Sequence, residues 1–165
     1  MILLGIDPGT AETGYGVIAV HGSRLDAVEH GCITTPAGQP LEDRLAHIFA
    51  EVTDLLARHE PASVALEDLF IGANPRTILS VGHARGAVLT ACGHAGVCAT
   101  GYPPAEVKRT VCGFGRADKG QVGRMVVATL RLERPPATDH AADALAVAVC
   151  HAHTSRGNAL RAAAG

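Results

Sequence analysis

At 165 residues, 47% of them hydrophobic, the chain suits one domain with one core. No apolar run reaches the ~20 residues of a membrane span, and Ile2–Ile6 is too short and lacks the basic flank of a secretory signal core, so a cytoplasmic protein is expected. The net charge of −2 excludes a uniformly basic nucleic-acid binder, but Met1–Phe70 carries 11 acidic and 3 basic residues (net −8) and Ala105–Arg134 carries 7 basic and 3 acidic (net +4). That division suits collecting metal ions and gripping phosphates; the plainer alternative is uneven surface charge.

In chain order, Ile2–Ile6 reads as a buried strand, punctuated by the turn Asp7-Pro8-Gly9-Thr10. Tyr15–Val20 and Arg24–Ile33 read as two further strands, and the three together as an antiparallel meander. Pro40 opens a helix in which Leu41, Leu45, Ile48, Phe49, Val52, Leu55 and Leu56 recur at helical spacing; Pro61 ends it. Ser63–Leu66 is a short buried strand ending at Glu67. Helix is expected from Pro75 to about Ala91, a fifth strand from Val97 to Tyr102, and a short helix from Pro103-Pro104 to Val111. Two more helices follow, Lys119–Leu132 and Thr138–His153. The order β-β-β-α-β-α-β-α-α-α predicts an α/β domain with a mixed five-stranded sheet flanked by helices. The division expected is one domain over residues 1–154 and a flexible tail over 155–165, rich in Ala, Gly and Arg. The five cysteines form no C-x-x-C pair and read as reduced, mostly buried thiols.

Four residues stand where chemistry could be built. Asp7 and Glu67 end strands one and four, and emerge side by side if those strands are neighbours. His140 and Asp143 lie three apart at the start of the last helix and share a face. Phosphodiester cleavage uses such a cluster, because two divalent ions ~3.5–4 Å apart stabilise the attacking and leaving oxygens and carboxylates are their hard ligands. Imidazole tilts the choice between Mg²⁺ and Mn²⁺ toward Mn²⁺. Singly each residue has a plainer reading: Asp7 as a turn former, Glu67 as a solvated strand end, Thr138-Asp139 as a helix cap with Asp143 suiting the dipole.

The motifs also carry a resemblance. Gly5-Ile6-Asp7-Pro8-Gly9-Thr10 with Thr13-Gly14-Tyr15-Gly16, Leu66-Glu67-Asp68-Leu69-Phe70, Gly82-His83-Ala84-Arg85-Gly86, Tyr102–Lys108, Gly113–Lys119 and Asp139–Ala146 together resemble the RuvC family of Holliday-junction resolvases, in the same order from residue 2 to about 155. The resemblance implies a ribonuclease-H-like nuclease. It further implies a homodimer that nicks four-way junctions symmetrically with two Mg²⁺ or Mn²⁺ ions per site, beside the branch-migration proteins RuvA and RuvB. It makes Asp7, Glu67, His140 and Asp143 the catalytic, metal-holding set; the family often carries Asp where this chain has His140.

For DNA contact the residues singled out are Phe70, an aromatic three positions past Glu67 that can stack on an unpaired base, and the phosphate candidates Arg76, Lys108, Arg109, Arg116 and Lys119. A core Phe and a solvated basic face are the plainer alternatives; the resemblance favours Phe70, Lys108 and Lys119. His151 and His153 could suggest a second metal site, and a helix-end dipole partner is the simpler reading. Two rival functions remain. An actin-like kinase shares the strand followed by Asp-x-Gly-Thr but needs a second related domain. A catalytically dead junction-binding module is opposed by the intact acidic set.

Overall fold

The computed structural model describes residues 1–68 and 74–164, with side chains to residue 155. Five strands form one sheet in the order β3-β2-β1-β4-β5, from β1 (Ile2–Asp7), β2 (Glu12–His21), β3 (Arg24–Thr34), β4 (Ser63–Glu67) and β5 (Ala99–Tyr102). β1 pairs antiparallel with β2, and β2 with β3. β4 lies parallel to both β1 and β5. The two-residue turn at Gly22 and Ser23 joins β2 to β3, whereas the parallel strands are separated by the helices α1 (Leu41–His59) and α2 (Pro75–Ala95). The mixed sheet expected from the alternation of elements is therefore present.

Side-chain parity sorts the residues onto the two faces. Leu4, Ile6, Val17, Val64 and Leu66 pack under α1 and α2, around Ile48, Val52, Leu55 and Val88. Leu3, Ile18, Ala65 and Tyr102 face α3 (Pro104–Cys112), α4 (Lys119–Leu130) and α5 (Asp139–Ala164). Asp7 and Glu67 share the parity of Leu3 and Ala65, so both carboxylates leave the sheet on the α5 side.

The approach of α5 is set by residues with no side chain. A Cβ on Gly5 would lie 2.1 Å from the Ala144 carbonyl oxygen, and one on Gly14 would lie 1.9 Å from that of His140. The helix thus rests on bare β1 and β2 backbone. Its first turn is held by Thr138, whose hydroxyl accepts from the Ala141 N–H at 3.2 Å. α4 begins with a full capping box between Asp118 and Gln121.

Element ends differ from the sequence expectation in several places. α2 continues to Ala95, where Gly96 takes the left-handed conformation that closes it, and β5 begins only at Ala99. The helix expected to stop at His153 runs on to Ala164. From Thr154 to Ala164 the segment holds one Gly, no Pro, four Ala, two Arg and one Leu, the last three strong helix formers, so the composition that suggested a fraying tail also propagates a helix. The cysteines are free, but only Cys92 and Cys150 are buried, and Cys98 is exposed.

Candidate metal centre and nucleic-acid interface

The turn after β1 is pinned from several sides. The Thr13 hydroxyl donates to the Gly9 carbonyl at 2.7 Å, the Thr35 hydroxyl donates to the Thr10 carbonyl at 2.5 Å, and Thr10 is hydrogen-bonded to Ser80 of α2. Asp7 therefore sits on a fixed strand end. In the parallel register Ile6 stands opposite Leu66, which puts Glu67 beside Asp7. α5 brings its first turns over this pair: His140 Nδ1 lies 2.7 Å from an Asp7 carboxylate oxygen, and Asp143 reaches in one turn later. All four residues singled out from the sequence thus converge on one end of the sheet.

The electrostatics of the cluster are those of crowded acids. Burial, then the Asp7 and Asp143 charges, then a hydrogen bond with Asp7, push the Glu67 carboxyl up to about 8. Burial likewise raises Asp143, opposed by the Lys119 ammonium. Lys119 stands 3.1 Å from Asp143 and 3.2 Å from Asp139. The cluster thus has more negative charge than its single lysine offsets. Its donor set, three carboxylates and one imidazole, fits hard divalent cations. Among the described residues no three His, Cys, Asp or Glu side chains stand together in ligating geometry; Asp7 is engaged by His140 and Asp143 by Lys119 instead.

Three residues that sequence reasoning left out of the candidate set belong to this site. Glu12, at the start of β2, places a carboxylate oxygen 3.4 Å from His140 Nε2, so the ring lies between two acids. Asp139 shares Lys119 with Asp143. Arg85 of α2 donates to the Glu67 carbonyl at 2.9 Å and pairs with Asp68 at 2.8 Å, steadying the end of β4 from the opposite face. Arg85 lay inside the segment Gly82–Gly86, and that was the available signal. Asp139 likewise lay inside the segment Asp139–Ala146; for Glu12 there was no signal, because its partner is set by how β2 meets α5.

Two clefts open on Glu67. One of about 210 Å³ is bordered by Lys108, Lys119, Val107 and Asp143; the other, of about 260 Å³, is bordered by Asp7, Asp68, Thr77 and His140. The structure therefore brings Lys108 and Lys119 to the acidic cluster, and Lys119 is a partner of carboxylates there, a contact its reading as a phosphate residue did not include. Arg109 and Arg116 are exposed and line neither cleft. Arg76 is exposed in the first turn of α2, its backbone N–H bonded to the Asn74 side chain. Phe70 lies outside the described residues. His151 is buried, hydrogen-bonded to Ser63 and Tyr102 at 2.7 Å each; it is a core residue, so neither a metal ligand nor a helix-end dipole partner describes it.

Residues 3–151 match the family described as crossover junction endodeoxyribonuclease RuvC. The chain is 51% identical over 152 residues to the crossover junction endodeoxyribonuclease RuvC of Moorella thermoacetica, covering 92% of this chain and 91% of that one. Among solved structures it is similar to Thermus thermophilus RuvC, at 37% identity and a TM-score of 0.90 over 96% of this chain and 97% of that one. The same protein in complex with Holliday junction substrate gives a TM-score of 0.91, covering 96% of each chain. A yeast mitochondrial Holliday junction resolvase, at 12% identity and a TM-score of 0.61, shares the fold. Neither a two-domain kinase nor a protein without nuclease chemistry fits a match that spans nearly the whole of both chains, and this chain belongs to the RuvC family of crossover junction endodeoxyribonucleases.

Proposed function

We propose that the chain resolves Holliday junctions, each protomer hydrolysing one phosphodiester at the cluster of Asp7, Glu67, His140 and Asp143. The observation that carries the reading is the convergence of two strand ends and one helix start on a single patch of carboxylates, with Lys108 and Lys119 on the same cleft. His140, Asp7 and Asp143 would hold one Mg²⁺ or Mn²⁺ ion, and Asp7 with Glu67 a second. Bound there, the ions supply the positive charge that offsets the developing charge on the attacking and leaving oxygens.

The chain's own residues do the rest. Glu67 keeps a proton while the cluster is uncompensated and must release it to act as a ligand. Lys119 orients Asp143 and Asp139, and with Lys108 it stands where a strand's phosphate meets the cleft. Glu12, beside Nε2, would orient the His140 ring so that Nδ1, which faces Asp7, is the nitrogen left to ligate. Water adds to the phosphorus and gives up a proton, one strand P–O bond breaks, and the departing oxygen takes up a proton in its place. Phe70, Arg76, Arg109 and Arg116 are the further DNA contacts of this reading.

Two cuts per junction and one cluster per chain call for a two-fold homodimer. The outer face of α2 suits that contact. Leu79 and Leu89 are 61% and 42% exposed on it, and a Cβ added at Gly82 or Gly86 would meet nothing within 4 Å. RuvA and RuvB are the proposed partners, in the cytoplasm; no helix among the described residues is long and apolar enough to cross a membrane. The test is incubation with labelled four-way and linear duplex DNA, with and without Mn²⁺. Paired, symmetric nicks confined to the junction and to the metal-containing reaction are expected. Intact junctions in Mn²⁺, or equal cutting of linear duplex, would refute the reading.

A further inference from the structure

The pairing of β1 with β4 ends at Ile6 and Leu66, so Asp7 and Glu67 stand just beyond the last pair that joins their strands. Their separation is therefore set by what holds each strand end. On the Asp7 side the antiparallel ladder reaches Gly14, and Thr13, Thr35 and Ser80 pin the turn that follows. On the Glu67 side the ladder with β5 closes at Tyr102, and the side chain that grips the strand end there is Arg85 of α2. We propose that Arg85 is a positioning residue for the reaction: it sets the distance from Glu67 to Asp7 that the ion between them requires. This rests on the reading above in which Asp7 and Glu67 share an ion.

Three observations carry it. The first is the grip. One guanidinium nitrogen donates to the Glu67 carbonyl at 2.9 Å, and the other terminal nitrogen stands 2.8 Å from the Asp68 carboxylate. A rigid planar fork that meets two consecutive residues fixes the chain in direction as well as in position. The second is the seat. A Cβ on Gly101 of β5 would collide with the Asp68 carboxylate and lie 2.9 Å from Arg85 Nη2. The clamp thus closes over bare β5 backbone, where the Asp68 N–H also donates to the Tyr102 carbonyl at 2.9 Å. The third is the load. Glu67 and Asp7 repel each other once both are ionised, and burial strengthens that repulsion. A strand end without a brace relieves it by moving outward, which opens the gap that a shared ion has to span. Arg85 lines neither cleft that opens on Glu67, so it acts through Glu67 and not on the substrate. His140 and Asp143 belong to α5, on the other face of the sheet, so the ion they hold with Asp7 keeps its ligands when the brace is lost.

The test disturbs the brace in two independent ways and leaves every ligand in place. Arg85→Lys keeps the charge but offers one nitrogen in place of a fork. Gly101→Ala keeps every charge and donor, and its methyl displaces Asp68 and Arg85 at their flexible ends. Each is compared with the wild type for melting temperature and junction affinity in chelator, for Mn²⁺ binding by calorimetry, and for the rate of cutting at saturating junction. The wild type should bind two ions per chain. Both variants should melt and bind junctions much as the wild type does, and should keep one ion at its normal affinity. They should bind the other about 10–100-fold more weakly, the usual effect of losing a residue that orients a ligand. Cutting should slow in proportion at limiting Mn²⁺ and recover in part when Mn²⁺ is raised. Two ions at wild-type affinity in both variants would overturn the proposal. So would equal weakening of both ions, which marks a general loosening of the site, or a loss of junction affinity alone, which would assign Arg85 to the segment after Asp68. A wild type that binds two ions yet nicks no junction would refute the nuclease reading and leave the brace standing. A wild type that binds fewer than two would refute the shared ion and the brace with it.

Discussion

Glu67 carries the cost of the site most visibly. The folded protein holds its proton up to about pH 8, whereas the unfolded chain releases it near the ordinary 4.5. Through that window the folded state binds more protons than the unfolded one, so stability without metal falls as pH rises. Glu67→Gln removes the titration. In chelator at pH 8 it should raise stability by about 1–2 kcal/mol, several degrees of melting temperature, flatten the pH dependence, and abolish junction cutting. A variant that melts lower than the wild type in chelator would contradict this account of the cluster. His140 makes a different prediction, because its ring touches both Asp7 and Glu12. His140→Ala should bind one ion poorly and cut slowly. His140→Asp should keep substantial activity with less preference for Mn²⁺ and an acid limb moved to lower pH, since a carboxylate ionises about two pH units below an imidazole. Normal cutting and normal metal dependence in His140→Ala would leave the ring a packing residue only.

At the level of elements, the site depends on how near α5 comes to β1 and β2. Gly14 pairs with Asp7 across the strands and meets the His140 backbone, so one position couples sheet, helix, Asp7 and His140. Gly14→Ala must push the helix off by overpacking, at a cost of about 3 kcal/mol, and should weaken Mn²⁺ binding although no ligand is changed. Gly93→Ala, in a helix with nothing within 4 Å of the added methyl, is the control and should be neutral or slightly stabilising. Comparable melting temperature and Mn²⁺ affinity in the two variants would show that the close approach is dispensable. The far half of α5 is tied to the sheet by His151 between Ser63 and Tyr102. Burial lowers its affinity for a proton from the ordinary value of 6.5. The unfolded chain therefore takes up a proton first as pH drops below 6.5, and stability is lost in that direction. His151→Gln, which does not titrate, should shrink this acid loss in urea titrations at pH 5 and pH 7; an unchanged difference between the two would remove His151 as its source.

For the whole molecule, one acidic cluster per chain has to serve two strands of a junction. If the outer face of α2 is the dimer contact, Leu79→Lys places a charge where an apolar surface should close. Dimerisation should weaken by about 2 kcal/mol, some thirtyfold in dissociation constant. Sedimentation should then show monomers at concentrations where the wild type is paired, and junctions should collect single nicks in place of paired ones. Paired cuts by a Leu79→Lys protein that sediments as a dimer would move the interface elsewhere. The charge division of the chain has a physical sense at this scale as well. The acidic N-terminal half supplies Asp7 and Glu67, and the basic stretch 105–134 supplies Lys108 and Lys119 to the cleft beside Glu67.

By itself the sequence determined the order and kind of elements, because strand alternation, helical spacing and the Pro and Gly stops are local signals that survive in the fold. It also placed Asp7 and Glu67 at strand ends, though that they leave the sheet together was settled by the parallel pairing of β1 with β4. Both end buried strands, and side-chain parity relative to Leu3 and Ala65 fixes their common face. Only the tertiary structure decided what surrounds them. His140 reaches an acid 133 positions away, Lys119 is occupied by Asp139 and Asp143, and Arg85 supports β4 from the opposite face. None of these pairings has a spacing in the chain. They depend on how closely α5 settles against bare β1 and β2 backbone, and on where α4 and α2 then lie. Helix ends were legible only where a stop residue sits. After His153 the chain holds good helix formers and no proline, and only the continued backbone hydrogen bonding of α5 separated a helix from a tail.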